Sequence, residues 1–234
     1  MLLLALETAT ETCGVALLRD DTVVAEAHLH RPRVHSARLT PLVEDVLRHG
    51  DASGAALDAV AVSMGPGSYT GLRIGVSTAK GWALAAGADL VGVPTLAAYA
   101  AQLRPVTAPG DAVAALFDAR RDEVYAAAFR RTDEALVPHA ETKALPVDAL
   151  ADWMAPVDGR LWLLGDGADK SRAALADHGA AVHVVPPDEV HPSAAWVGRR
   201  GRARWAREGP DALDTFEPFY VKEVHATPAP SPFA

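Results

Sequence analysis

Sulfur chemistry is almost missing from this sequence: 234 residues hold one cysteine, Cys13. A lone thiol closes no intramolecular disulfide, so a stapled secreted scaffold is excluded and a reducing, cytoplasmic setting is expected. Long apolar runs are missing too. The opening run from Met1 to Leu6 stops at Glu7 and has no basic residue before it. It falls far short of the about 20 residues of a membrane span and lacks the flanks of a signal peptide, so no membrane association is expected. Basic charge is in deficit, with Lys+Arg 22 against Asp+Glu 30 and a net charge of -8. Phosphate contacts need clustered cations, so the chain alone is not expected to hold RNA. There is no GxSxG nucleophile turn and no Walker A loop. The nine histidines are scattered, and none forms a helical i, i+4 zinc pair with a supporting carboxylate. No metal and no cofactor are expected.

Half of the residues are hydrophobic, enough for one large domain or two ordinary ones. Apolar runs at residues 2–6 and 14–18 flank a polar turn at 8–12, and residues 22–29 follow as a third strand. Leu39, Leu42, Val43, Val46 and Leu47 then recur at the spacing of one helix face, with Ser36 or Thr40 as start, Pro41 as first helical residue and Gly50 as stop. Residues 57–64 read as a buried strand, 70–86 as a long helix, 91–93 as a short strand, and a helix follows Pro94. The second half varies the theme. Strands are expected at 113–117 and 124–129, a helix at 147–154, a strand at 161–164, a helix at 170–178, a strand at 182–185 and a helix at 193–207. A ββ(β)αβαβ unit occurring twice implies two similar α/β domains, at 1–105 and 106–192, with the helix 193–208 assigned to the first. The Pro/Gly-rich stretch 104–110 is the linker, and the proline-rich tail 227–234 is expected to be disordered.

The strongest local signal runs from Gly65-Pro66-Gly67-Ser68 to Gly75, a Gly-rich turn between a strand and a helix. Such a turn either presents amide N–H groups to an anion or is a tight structural turn. Along the helix, Gly71, Gly75, Ala79 and Ala83 form a stripe of small residues that admits a close neighbour, either the chain's own core or another subunit. In the turn at 7–12, threonines could cradle a phosphate, but Glu7 and Glu11 would repel it, which favours an ordinary hairpin. The charged turn at 118–123 and Gly165-Asp166-Gly167 close later strands. Arg199, Arg200, Arg202, Arg204 and Arg207 make the last helix basic, either to touch RNA or as a solvated face.

These residues together resemble the TsaB family. Leu4-Ala5-Leu6-Glu7-Thr8-Ala9-Thr10, Cys13-Gly14-Val15-Ala16-Leu17, His35-Ser36-Ala37-Arg38-Leu39-Thr40-Pro41, the 65–75 motif, Ala79-Lys80-Gly81 and Val93-Pro94-Thr95-Leu96 carry the likeness. Asp118-Ala119-Arg120-Arg121-Asp122-Glu123-Val124-Tyr125 extends it to about residue 125, and Phe216-Glu217-Pro218-Phe219-Tyr220-Val221-Lys222 is a loose form of the family's ending. The resemblance implies an actin-like, hexokinase-like (ASKHA) fold of two ribonuclease-H-like halves. It implies a non-catalytic subunit that binds and activates a TsaD-like transferase, which forms N6-threonylcarbamoyladenosine next to the anticodon. A TsaE-like ATPase joins that assembly, tRNA is met only through the complex, and the chain alone forms a homodimer. Thr95 and Tyr99 stand where TsaD-type proteins have two metal-binding histidines, and they are poor substitutes. The helices bearing Leu39, Leu42, Val43 and Val46 and Gly71, Gly75, Ala79 and Ala83 are the implied partner surface. A vestigial nucleotide site would use Thr8, Thr10, Asp118, Gly165 and Gly167. A nucleotide-dependent small-molecule kinase or ATPase is the alternative function, and a metallopeptidase is disfavoured by the missing ligands.

Overall fold

In a computed structural model, residues 1–176 and 181–222 are described; the expected tail at 227–234, the end of the expected 170–178 helix, His178 and His225 lie outside them. The first half contains β1 (Leu2–Glu7), β2 (Thr12–Arg19), β3 (Thr22–His30), α1 (His35–His49), β4 (Ala59–Gly65), α2 (Tyr69–Ala86), β5 (Asp89–Pro94) and α3 (Thr95–Ala101). The second contains β6 (Ala112–Asp118), β7 (Glu123–Arg131), β8 (Leu136–Pro146), α4 (Leu150–Trp153), β9 (Leu161–Leu164), α5 (Ala168–Ser171), β10 (Val182–Val184) and α6 (Ala194–Glu208).

The strands form two five-stranded sheets, ordered β3-β2-β1-β4-β5 and β10-β9-β6-β7-β8. Read from its other edge, the second order repeats the first, strand for strand. In each, two antiparallel hairpins lead into two parallel strands. The doubled pattern of the sequence is therefore a doubled sheet.

The two-residue period of the strands assigns their faces. Leu2, Leu4 and Leu6 of β1 join Val15, Leu17, Val60 and Val62 under α1 and α2. Leu3 and Ala5 point the other way, with Ala16, Ala59 and Ala61, and meet α6. The second sheet repeats this: Ala114, Leu116 and Ala126 pack outward near α4, and Val113, Ala115 and Phe117 pack inward on α3. The inner helices thus cross over, α3 lying on the second sheet and α6 on the first. Glycines permit the close approach of α6. A Cβ at Gly198 would lie 2.4 Å from Leu18 Cδ1, and one at Gly201 would lie 2.7 Å from the Ala61 Cβ.

Several expected elements differ. β8 is hidden in the sequence by Pro138, Pro146 and the polar residues His139, Glu141, Thr142 and Lys143 between them, and it is the sheet's edge, where proline and exposure are tolerated. Helix α1 starts at His35, so Pro41 lies inside it rather than at its first position. Pro41 sits on the exposed side. Leu57 is buried but precedes β4, after a short 3-10 turn at Gly54–Ala56. The expected helix at 170–178 begins two residues earlier, as α5, which is four residues long.

After α6 the chain returns along the first sheet. Asp211 Oδ2 accepts the Gly92 amide at 2.7 Å, and the Arg204 guanidinium donates to both Asp211 carboxylate oxygens and, at 2.8 Å, to the Gly92 carbonyl. Lys80 Nζ donates to the carbonyls of Asp214 and Phe216 at 3.1 and 3.2 Å. The basic residues of α6 are largely spent in this way: Arg202 pairs with Asp21, Arg207 with Glu208, and Arg199 lies over the Trp196 ring.

Candidate functional site

A cleft of about 860 Å³ opens between the sheets at the carboxyl ends of the parallel strands. Open α/β sheets place ligands there. The first half contributes Ala9, Thr10 and Glu11 of the β1–β2 turn, Arg33 and His35 before and at the start of α1, and Gly67 to Gly71 of the Gly-rich turn. The second half contributes Phe117, Asp118, Ala119, Arg120, Tyr125 and Asp166.

The Gly-rich turn is filled by the chain's own backbone. Ser68 N donates to Ala9 O at 2.6 Å, and the Ser68 hydroxyl accepts from Gly71 N at 3.3 Å, capping α2. A Cβ at Gly67 would meet Ala9 O at 2.3 Å, at Gly71 would meet Thr8 O at 2.1 Å, and at Gly75 would meet Thr8 Oγ1 at 2.0 Å. These glycines admit the β1–β2 turn beneath the helix. The space where a phosphate cradle would form holds peptide carbonyls, and oxygen repels oxygen. Of the two readings of this motif, the structural turn fits.

The turn itself is not simply a solvated hairpin. Glu7 is 1% exposed, with its carboxylate accepting the Ala9 amide at 2.7 Å, and burial pushes its pKa up to about 7. Near neutrality it is substantially protonated, so it repels an anion less than the sequence suggested. Thr8 is buried, its amide on Ser63 Oγ at 3.2 Å, and among the described residues its Oγ1 has no hydrogen-bond partner.

Of the implied nucleotide residues, Thr10 and Asp118 line the cleft. Thr8 faces α2 instead. Gly165 and Gly167 lie behind the wall, where Cβ atoms would meet Leu116 O at 2.2 and 3.1 Å. Asp118 is engaged by Lys170 Nζ at 2.6 Å, a pair that holds its carboxyl below the usual range. Its neighbour Asp166 accepts the Asp118 amide at 2.8 Å and is pushed up, chiefly by burial and then by the Asp118 charge. The turn at 118–123 is tied to partners distant in sequence rather than only to its own charges. Arg33, Arg120, Tyr69 and Asp166 were not singled out for the cleft; only the order of the strands brings them together.

Thr95 and Tyr99 serve the fold. Thr95 Oγ1 accepts from Gly65 N at 3.0 Å, and the Tyr99 hydroxyl donates to Val190 O at 2.7 Å while burial raises its pKa. His28 stacks on His30 with ring centroids 5.9 Å apart, His191 lies tilted against His30 at 4.2 Å, and His30 Nδ1 is 3.2 Å from Thr12 Oγ1. Among the described residues no group of three His, Cys, Asp or Glu is placed to hold a metal.

The small-residue stripe needs correction. Gly71, Gly75, Ala79 and Ala83 are buried under α2, and Leu39, Val43 and Val46 are buried under α1, all within the chain's own core; Leu42 is half-buried. The stripe serves packing of α2 on β1 and β4. One step round the helix lies another small-residue face, this one open: Ser77, Gly81 and Ala85 are exposed, and Leu84 is 72% exposed. Among the described residues nothing lies within 4 Å of a Cβ at Gly81. A groove of about 340 Å³, lined by Thr40, Thr78, Gly81, Trp82 and Ala85, runs between α1 and α2 on that side. No helix among the described residues is long and apolar enough to cross a membrane.

Two duplicated ribonuclease-H-like sheets with exchanged inner helices define an actin-like, hexokinase-like fold. The family model of TsaD, tRNA N6-adenosine threonylcarbamoyltransferase, matches residues 24–163. The chain is 38% identical over 168 residues to the tRNA threonylcarbamoyladenosine biosynthesis protein TsaB of Escherichia coli, covering 71% of this chain and 72% of that one. It is 36% identical over 157 residues to the Bacillus subtilis protein of the same name, covering 66% and 65%. The structure of YeaZ from Pseudomonas aeruginosa superposes with a TM-score of 0.76 at 27% identity, covering 94% of this chain and 99% of that one. The chain belongs to the TsaB family of tRNA threonylcarbamoyladenosine biosynthesis proteins.

Proposed function

We propose that this chain is a non-catalytic, cytoplasmic subunit that binds and activates a TsaD-type transferase during N6-threonylcarbamoyladenosine formation in tRNA. The observation that carries the reading is the open face of α1 and α2. Leu84 is 72% exposed next to Ala85, and Gly81 and Ala85 border the groove between α1 and α2, a shape that an apolar helix of a partner can fill. Small residues at Ser77, Gly81 and Ala85 permit close helix approach, and a partner of the same fold presents a similar pair of helices, giving a four-helix contact. A second copy of this chain fits the same face, so homodimer and hetero-complex exclude each other. A TsaE-like ATPase joins the assembled pair. The filled Gly-rich turn and the Lys170-bound Asp118 support a supporting role over the kinase or ATPase alternative.

Light scattering with and without the TsaD-type protein of the same cell tests this. Gly81→Arg adds its side chain into open space, so the monomer keeps its circular dichroism while both self-association and the hetero-complex are lost. Ala79→Arg, at a position with no exposure, unfolds the monomer instead. A hetero-complex unaffected by Gly81→Arg refutes the interface.

A further inference from the structure

The mouth of the cleft gathers arginines that make no ion pair among the described residues. Arg33 lines it from the first half and Arg120 from the second. Arg73 lies over the Tyr69 ring, its guanidinium carbon 5.5 Å from the centroid and its Nη1 3.0 Å from the Tyr69 hydroxyl. Among the described residues none of the three guanidinium groups has a carboxylate oxygen within 4.0 Å, although the Arg120 amide donates to Asp118 Oδ1 at 2.8 Å. Of the carboxylates nearby, Asp118 is answered by Lys170, and Glu123 by Lys222. Glu11, Asp166 and Glu217 stay outside ion pairs among the described residues; Glu11 and Glu217 are exposed, and burial pushes the Asp166 pKa up, towards the neutral form. Guanidinium groups free of ion pairs are good partners for backbone phosphates, whatever the net charge of the whole chain.

Aromatic faces lie beside these cations. Tyr69 is 42% exposed and Tyr220 is 38% exposed, with ring centroids 5.2 Å apart. Tyr220 is brought there by the returning segment after α6. Phe219 N donates to Met64 O at 2.7 Å, and a Cβ on Gly65, whose φ is +121°, would lie 2.3 Å from Phe219 O. Lys222 Nζ then reaches across to Ala119 O at 2.9 Å, in the turn that carries Arg120. The segment therefore fixes one tyrosine against the other and ties both to the far side of the cleft.

The filled Gly-rich turn leaves no cradle for a mononucleotide's phosphates inside. A ligand here keeps its phosphates at the rim and lays flat rings on the tyrosines. We infer that the mouth of the cleft is a contact for single-stranded RNA, with Tyr69 and Tyr220 stacking bases and Arg33, Arg73 and Arg120 meeting backbone phosphates. Stacking platforms flanked by arginines bind single strands in this way. The inference rests on the proposed function for the source of the strand, a tRNA loop presented within the hetero-complex. It adds that this chain touches the RNA itself.

Fluorescence anisotropy of tRNA on the hetero-complex, across a salt series, tests it. The triple variant Arg33→Ala/Arg73→Ala/Arg120→Ala lowers the slope of log affinity against log salt by about 2, from three phosphates at roughly 0.7 each. Tyr220→Ala weakens binding on the order of tenfold, and Tyr220→Phe leaves it unchanged, because stacking needs the ring and not the hydroxyl. Unchanged affinity and slope in the triple variant overturn the inference while the hetero-complex still forms. If the unsubstituted chain forms no hetero-complex, the proposed function fails, and a single-stranded RNA oligonucleotide on the isolated chain at low salt decides the inference alone. Binding lost in the triple variant supports it there, and absence of binding overturns it. Saturable ATP binding that the same substitutions weaken, with RNA binding unaffected, marks a mononucleotide site and also overturns it.

Discussion

Gly75 and Gly81 lie on the same helix, six residues apart, and their surroundings are opposite. Replacing either by alanine gains about 0.8–1.0 kcal/mol of helix propensity, since glycine has more backbone freedom to lose. At Gly81 nothing among the described residues lies within 4 Å of the new Cβ, so the gain stands alone. At Gly75 the Cβ lands 2.0 Å from Thr8 Oγ1 and 3.2 Å from Thr8 Cβ. Thr8 is stiff at χ1 and buried, and its amide is bonded to Ser63, so it cannot step aside without moving the β1–β2 turn. Overpacking of this kind costs about 1–3 kcal/mol. Thermal melts followed by circular dichroism should raise the midpoint for Gly81→Ala by about 2–4 °C, on the scale for chains of this size. Gly75→Ala should fall below Gly81→Ala by about 1–3 kcal/mol in urea titrations. Thr8→Ala, which removes an unpartnered buried hydroxyl, should recover part of the Gly75→Ala loss. Equal stabilisation by both alanines would refute the claim that the glycines admit the first turn.

Three further outcomes follow from buried polar groups. Glu7, with its pKa pushed from 4.5 to about 7, binds its proton more tightly folded than unfolded. Its contribution is greatest below pH 4.5, falls as pH rises towards 7 and is lost above that. The loss totals about 3 kcal/mol, at 1.36 kcal/mol per unit. Denaturant titrations should show Glu7→Gln abolishing that slope and stabilising the protein at pH 8; an unchanged slope rejects the buried, neutral carboxyl. Cys13 is buried and its pKa is raised to about 11 by burial and by the Glu7 charge, so a thiol reagent should label it only upon unfolding. Fast labelling of the native chain contradicts this. Asp211→Ala strands the Gly92 amide and the Arg204 guanidinium, and should cost about 2–3 kcal/mol in urea titration; a loss under 0.5 kcal/mol shows that the returning segment is not anchored there.

The doubled α/β architecture is legible because apolar runs such as Val60 and Val62, alternating with Ala59 and Ala61, define strands buried on both faces, which helices must cover on both sides. Edge strand β8 escapes notice because a strand paired on one side carries the polar residues and prolines that mark loops elsewhere. The small-residue stripe was legible as a close contact but not as to which contact. Gly75 and Gly81 are the same residue on one helix, and only the position of Thr8 separates a core glycine from an exposed one. The cleft defeats reading for a similar reason. Arg33, Tyr69, Arg120 and Tyr220 meet through strand order and the returning segment, with no spacing to reveal it. Glu7 looked like a repelling charge because burial, which changes its protonation, is invisible along the chain.

On the proposed function, this chain supports a transferase without performing the chemistry itself. Mass-spectrometric quantification of threonylcarbamoyladenosine in tRNA, from a reconstituted system with the cell's TsaD-type transferase, TsaE-like ATPase and a supply of activated threonylcarbamoyl donor, tests it directly. Modification is expected when transferase and this chain are both present, none from this chain without the transferase, and loss with Gly81→Arg while the monomer stays folded. Modification by this chain in the absence of the transferase, or an unchanged yield when this chain is left out, would contradict it.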